Sequence, residues 1–312
     1  MITRRTLLSG IAMVSTLSGV AHAATPERIL FVHGRAQGGR NSEHIWTEWM
    51  AAFQSGLAAV GESVPKAIDI RLPFYGDTLD DITAGFGLPL VSEIHSRGDA
   101  IQNEFLIFQE EAANDIRRAA GVTEAQVIAE YGNNPRERGP LNWQWVQAIL
   151  AAIDTNAPGL SSAALELFLR DVFLYTSRAG VRQLIDEIVL SQMDARPTVV
   201  VGHSLGSVIA YNILAQNHGF NVPLFVTLGS PLGIRAIRQR LRPIRFPRGT
   251  TKWFNAYDPR DVVALYPLDV RNFDVVPSVE NLNTIRNQTR NRHGISGYLD
   301  KPEISSRILA AS

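Results

Sequence analysis

The segment Gly202-His203-Ser204-Leu205-Gly206 sets a serine between glycines two residues before and two residues after it. The β-branched run Thr198-Val199-Val200-Val201 precedes it, and Val208, Ile209, Tyr211, Ile213 and Leu214 follow in a helical pattern. Five letters of this kind recur by chance. Between a buried strand and a helix, however, they predict a sharp turn that projects the Ser204 hydroxyl from the end of a sheet. Small residues on both sides relieve the clashes that such a turn creates. The helix starting there directs N–H groups and a partial positive charge toward developing negative charge. The chemistry this suits is nucleophilic attack by Ser204.

A serine hydroxyl is a weak nucleophile without a base. The chain after Ser204 supplies both a candidate base and a candidate acid to orient it. Asp258-Pro259-Arg260-Asp261 follows the strand candidate at 252–257. Asp261 is the expected acid and Asp258 the alternative. The one histidine after Asp261 is His293, in the polar, glycine-containing stretch Asn291-Arg292-His293-Gly294. A loop is expected there, and loops on a rigid scaffold are where such histidines sit. His203 belongs to the elbow itself and His218 to the end of the next helix, so neither suits the base. A developing oxyanion needs donors. The backbone N–H of Leu205 is one candidate. The N–H of Arg35, in His33-Gly34-Arg35 after the first strand, is the other. The Arg35 side chain is expected to form an outward salt bridge, with contact to an anionic substrate as the other reading.

The elements that must position these groups alternate along the chain. The apolar run 28–32 and the segment 67–72 read as strands. Between them a helical pattern puts Trp46, Trp49, Met50, Phe53, Leu57 and Val60 on one core-facing side. Residues 76–160 show helical patterns, as at 101–120, and a polar break at Gly132-Asn133-Asn134-Pro135, but no clear strand. A structureless loop of that length is improbable, so a helical insertion is expected. Trp143 and Trp145 in it are expected to anchor the insertion, with substrate contact as the other reading. Helix resumes over 163–193 with a break near Gly180, and strands are expected at 198–201, 224–228 and 252–257. Strands alternating with helices predict an α/β chain with a mostly parallel sheet flanked by helices.

The chain has 312 residues, long enough for one large core. Lys+Arg and Asp+Glu both number 30, so no charge excess points to nucleic acid. The 7 histidines form no pair at metal-ligand spacing, and no metal is expected. There is no cysteine, which excludes disulfides and thiolate chemistry. Residues 1–23 read as a cleavable export signal, leaving one domain over 24–312. Arg4-Arg5 precede a mildly apolar run, and Ala21-His22-Ala23 gives a small-x-small cleavage pattern. Paired arginines before a weakly hydrophobic stretch resemble a twin-arginine signal. The run is shorter than the roughly 20 residues of a membrane span. Export through the twin-arginine machinery to a bacterial periplasm or beyond is expected, with no stable membrane span afterwards.

The strand followed by His33-Gly34, the Gly202–Gly206 elbow, Asp261-Val262-Val263, the late His293 and the segment Thr227-Leu228-Gly229-Ser230-Pro231 together resemble the lipase/esterase branch of the α/β-hydrolases. The resemblance covers roughly residues 28–75 and 163–300, and the helical insertion matches no cap or lid of that branch. It implies a serine hydrolase that cleaves carboxyl esters through an acyl-enzyme, acting on a small-molecule or lipid ester without metal or organic cofactor. Thioester or amide cleavage, acyl transfer and an inactive binding protein on the same fold remain alternatives.

Overall fold

The computed structural model describes residues 27–35, 41–86, 88, 100–133, 138–157, 159–216 and 219–311. The expected export signal at 1–23, Asn134-Pro135 of the polar break and His218 lie outside these residues. The described elements run β1 (Arg28–Val32), α1 (Ser42–Ala58), β2 (Asp69–Arg71), α2 (Gly76–Phe86), α3 (Ala100–Ala119), α4 (Glu124–Tyr131), α5 (Trp143–Asn156), α6 (Ser162–Ser177), α7 (Ala179–Leu190), β3 (Thr198–His203), α8 (Leu205–Gln216), β4 (Val222–Leu228), α9 (Arg235–Arg240), β5 (Thr250–Ala256), β6 (Glu280–Leu282), α10 (Ser296–Leu299) and α11 (Pro302–Leu309).

The six strands form one sheet in the order β2-β1-β3-β4-β5-β6, and every described pairing is parallel. The expected α/β architecture is therefore the observed one. All residues of β1, β3 and β4 are buried, which explains why they read as continuous apolar runs. Successive side chains still alternate between the two faces. Ile29, Phe31, Val199, Val201 and Val226 pack toward Trp49, Phe53 and Leu57 of α1 and Tyr298 and Ile304 near the C-terminus. Leu30, Val32, Val200 and Phe225 pack toward α8 and the helices between β2 and β3.

No described residue between β2 and β3 is in a strand; α2 to α7 fill that interval. Trp145 is buried and meets Tyr131 edge-on at 5.4 Å, and Trp143 packs against the same core. Two expectations need correction. Trp46 is 39% exposed and Val60 52%. The buried side of α1 is instead Ile45, Trp49, Ala52, Phe53 and Leu57. Trp46 lies one residue, or about 100° of helix, from Ile45, and Val60 falls beyond the end of the helix. The break expected near Gly180 is the boundary between α6 and α7, at Arg178, whose extended backbone (φ −113°, ψ 107°) separates the two helices.

Candidate active site

β3 stops at His203, and Ser204 follows with φ of 53°. A residue with a Cβ is strained in this left-handed region, and persists there only when its surroundings hold it. They do so here on both sides of the residue. The Ser204 N–H donates to the Leu228 carbonyl at 3.1 Å, and its own carbonyl accepts from the Ser207 N–H at 3.0 Å and Oγ at 2.6 Å. Ser207 Oγ also meets Ser230 Oγ at 2.7 Å, so the Gly229-Ser230-Pro231 turn after β4 braces the elbow. The flanking glycines are required by contact. A Cβ on Gly202 would lie 2.6 Å from Ser207 Cα, and one on Gly206 would overlap the carbonyls of Val32 and His33. Leu205 opens α8, and the first N–H groups of a helix have no acceptor within it.

His293 sits in the loop before α10 and reaches back to the elbow. Its Nε2 is 2.7 Å from Ser204 Oγ and its Nδ1 is 2.7 Å from Asp261 Oδ2. A carboxylate only accepts. The partners therefore assign the ring proton to Nδ1 and leave Nε2 to accept from the serine O–H. Asp261 is fully buried. Its Oδ1 accepts the Val263 N–H at 3.0 Å, and its Oδ2 also accepts from Tyr298 Oη at 2.7 Å. Ser204, His293 and Asp261 thus form one continuous hydrogen-bonded chain.

Asp258 is brought close to this chain but is directed elsewhere. Its carboxylate accepts from Arg260 at Nε (3.0 Å), Nη2 (2.7 Å) and the backbone N–H (2.9 Å), and from the Asn287 N–H at 2.8 Å. Burial alone would raise its pKa. The Arg260 and Asn287 donors outweigh that and hold it below the ordinary carboxylate range. Asn287 then donates from Nδ2 to the Gly294 carbonyl at 2.8 Å. Asp258 is therefore an anchor for the loop that carries His293, and between the two acids it is Asp261 that meets the imidazole.

Three further side chains hold this arrangement, and sequence reasoning did not single them out for it. Tyr298 donates to Asp261 and accepts the Asp258 N–H at 3.3 Å, joining both acids. His203 donates from Nε2 to the His293 carbonyl at 2.7 Å and lies 4.9 Å from the His293 ring. Burial, and then the neighbouring His293, hold His203 well below the ordinary histidine pKa, so it stays a neutral brace. Its place inside the elbow motif was the available signal. His33 is the third. Its Nδ1 donates to the Gly34 carbonyl at 2.5 Å and its Nε2 accepts the Tyr75 N–H at 3.3 Å. Burial lowers its pKa to about 4, with the Gly34 bond opposing, so this neutral tautomer persists at neutral pH. Carbonyl and N–H point in opposite directions across a trans peptide. Holding the Gly34 carbonyl therefore turns the Arg35 N–H away from the imidazole. This peptide lies beside the serine, because a Cβ on Gly34 would be 2.9 Å from Ser204 Cβ.

The Arg35 side chain does not form the expected outward salt bridge. It turns inward, with Nε 2.5 Å from Oδ2 of Asp171, a residue of α6 that is 1% exposed. Helix α6 borders the cleft through Ala164, Leu167 and Phe168, so an inward carboxylate is available from it.

A cleft of about 1180 Å³ opens onto Ser204. Leu160, Ala164, Leu167 and Phe168 form one wall, Ile45 and Trp49 another, and the loop from Thr289 to Ser296 a third. A volume of this size holds an extended small molecule. Among the described residues no group of three or more His, Cys, Asp or Glu side chains is placed to hold a metal ion. No described helix is long and apolar enough to cross a membrane. No protein-family model, curated protein or solved structure matches the chain.

Proposed function

We propose that this chain is a serine hydrolase of the α/β-hydrolase type that cleaves carboxyl esters through an acyl-enzyme. The supporting observation is the Ser204–His293–Asp261 chain, with both bonds at 2.7 Å, formed at a strained strand-to-helix turn facing a cleft with two largely apolar walls and one polar one. Ser204 Oγ attacks the ester carbon while His293 Nε2 takes its proton. Asp261 keeps the imidazole in the tautomer that can accept and stabilises the imidazolium that forms. The negative charge passes to the carbonyl oxygen, which the N–H groups of Leu205 and Arg35 receive. Collapse breaks the bond to the alcohol oxygen, and His293 returns the proton to it. Water, deprotonated by the same nitrogen, then cleaves the acyl-serine and restores the free hydroxyl.

The leading test is steady-state hydrolysis of matched ester, thioester and amide substrates by the mature protein. Ester cleavage with a burst of one alcohol per active site is expected. Turnover of the thioester or amide in preference to the ester would move the assignment to another acyl transfer on the same residues. No turnover of any of them would favour a binding protein. Residues 1–23 are proposed to direct export and then be removed. A mature mass beginning at Ala24 is expected from exporting cells, and an intact N-terminus would refute this.

Tyr298 supplies the second donor to the Asp261 oxygen that orients His293. Tyr298→Phe keeps the ring and removes the donor. Such a charge-assisted bond is worth about 1.5–3 kcal/mol. A fall in kcat on the order of tenfold with little change in KM is expected. A kcat within twofold of wild type would show that Tyr298 only fills space.

A further inference from the structure

Helix α6 carries two kinds of group on one side. Ala164, Leu167 and Phe168 line the cleft, and Asp171 follows one turn later at helical spacing. Asp171 is almost fully buried, with Arg35 Nε at 2.5 Å and Arg170 Nε at 4.0 Å. Asp80 of α2 and the Tyr75 phenol are the other ionisable groups within electrostatic reach. A buried carboxylate is costly unless it is paired. Burial pushes the Asp171 pKa up to about 6, against the pull of Arg35 and Arg170. The residue held by this costly contact is the one whose backbone N–H was assigned to the oxyanion.

We infer that Asp171 is a positioning residue for the oxyanion site: through the Arg35 side chain it fixes the Gly34–Arg35 peptide, tying that site to the helix that walls the cleft. The inference rests on the ester-hydrolase reading. His33 holds the carbonyl of this peptide and Tyr75 supports His33, so the peptide is restrained from the sheet side. Asp171 restrains it from the helical side. With both restraints the donor is in place before charge develops, which is how such donors stabilise a transition state at little reorganisation cost.

Asp171→Asn keeps the shape and removes the charge. Complete loss of one oxyanion donor costs about 10²–10³ in kcat. Loosening one should cost on the order of 10- to 100-fold in kcat, with KM within about twofold. A second readout is specific to the oxyanion. Wild type should strongly prefer an ester to the matched thiono ester, whose larger sulfur fits the donors poorly, and Asp171→Asn should narrow that ratio. Asp171→Glu should recover part of it. Arg35→Met cuts the same link from the other end and retains the backbone N–H. It should reproduce the effect, and the double variant should be no worse than either single one. An unchanged thiono ratio in both single variants, or additive losses, would overturn the inference. Absence of Ser204-dependent ester turnover in the wild type would instead overturn the function on which it rests.

Discussion

Ser204→Ala should lose ester turnover by a factor on the order of 10⁴–10⁶, and His293→Ala by a similar factor. The size follows from the hydrogen-bonded chain. Without the hydroxyl no acyl-enzyme forms. Without the imidazole the hydroxyl proton has no acceptor among the described residues, where Nε2, at 2.7 Å, is the partner of Oγ. The two groups act in one step, so the double variant should be scarcely worse than either single one. Measured kcat values settle this, with circular dichroism and thermal unfolding confirming that each variant folds. Strict multiplication of the two losses, or substantial turnover in His293→Ala, would mean that another base serves Ser204.

The second large effect separates the two acids. Asp261→Asn should lower kcat by about 10⁴, because an amide can donate to Nδ1 and so favour the wrong tautomer. Asp258→Asn should change kcat by less than about tenfold and lower stability by about 1–3 kcal/mol. Its carboxylate meets Arg260 and Asn287, and a partner as exposed as Arg260 returns only part of a buried pair's energy. The linkage has a definite sign. Donors hold the Asp258 pKa below its unfolded value. Its contribution is therefore complete above the unfolded pKa and is lost as pH falls through the folded one. Urea unfolding at neutral and at strongly acidic pH should show the wild type and Asp258→Asn converging in acid. A larger kcat loss in Asp258→Asn than in Asp261→Asn would reverse the assignment.

The parts of the fold legible in the sequence are those whose environment is uniform. β1, β3 and β4 are buried throughout, so their apolar runs stand out. β6 is a three-residue edge strand, Glu280-Asn281-Leu282, with no buried residue, and it carries no such pattern. The break expected near Gly180 falls two residues earlier, at the extended backbone of Arg178. The same division holds at the site. Ser204 is announced by the glycines its turn requires, and Asp261 and His293 by chain order. Tyr298, Asn287 and Asp171 gain their places from partners 37, 29 and more than a hundred residues distant in the chain. Asp171 lay unnoticed in a helical pattern because a charged residue on such a helix normally faces water.

The most direct measurement is intact mass after incubating the mature protein with a fluorophosphonate, beside Ser204→Ala. Attack by an activated serine displaces fluoride and leaves a phosphonyl ester on its oxygen. One adduct per wild-type chain, located at Ser204, is expected, and none in the variant. A folded wild type that stays unlabelled, or an equal adduct in Ser204→Ala, would contradict the assignment of Ser204 as nucleophile.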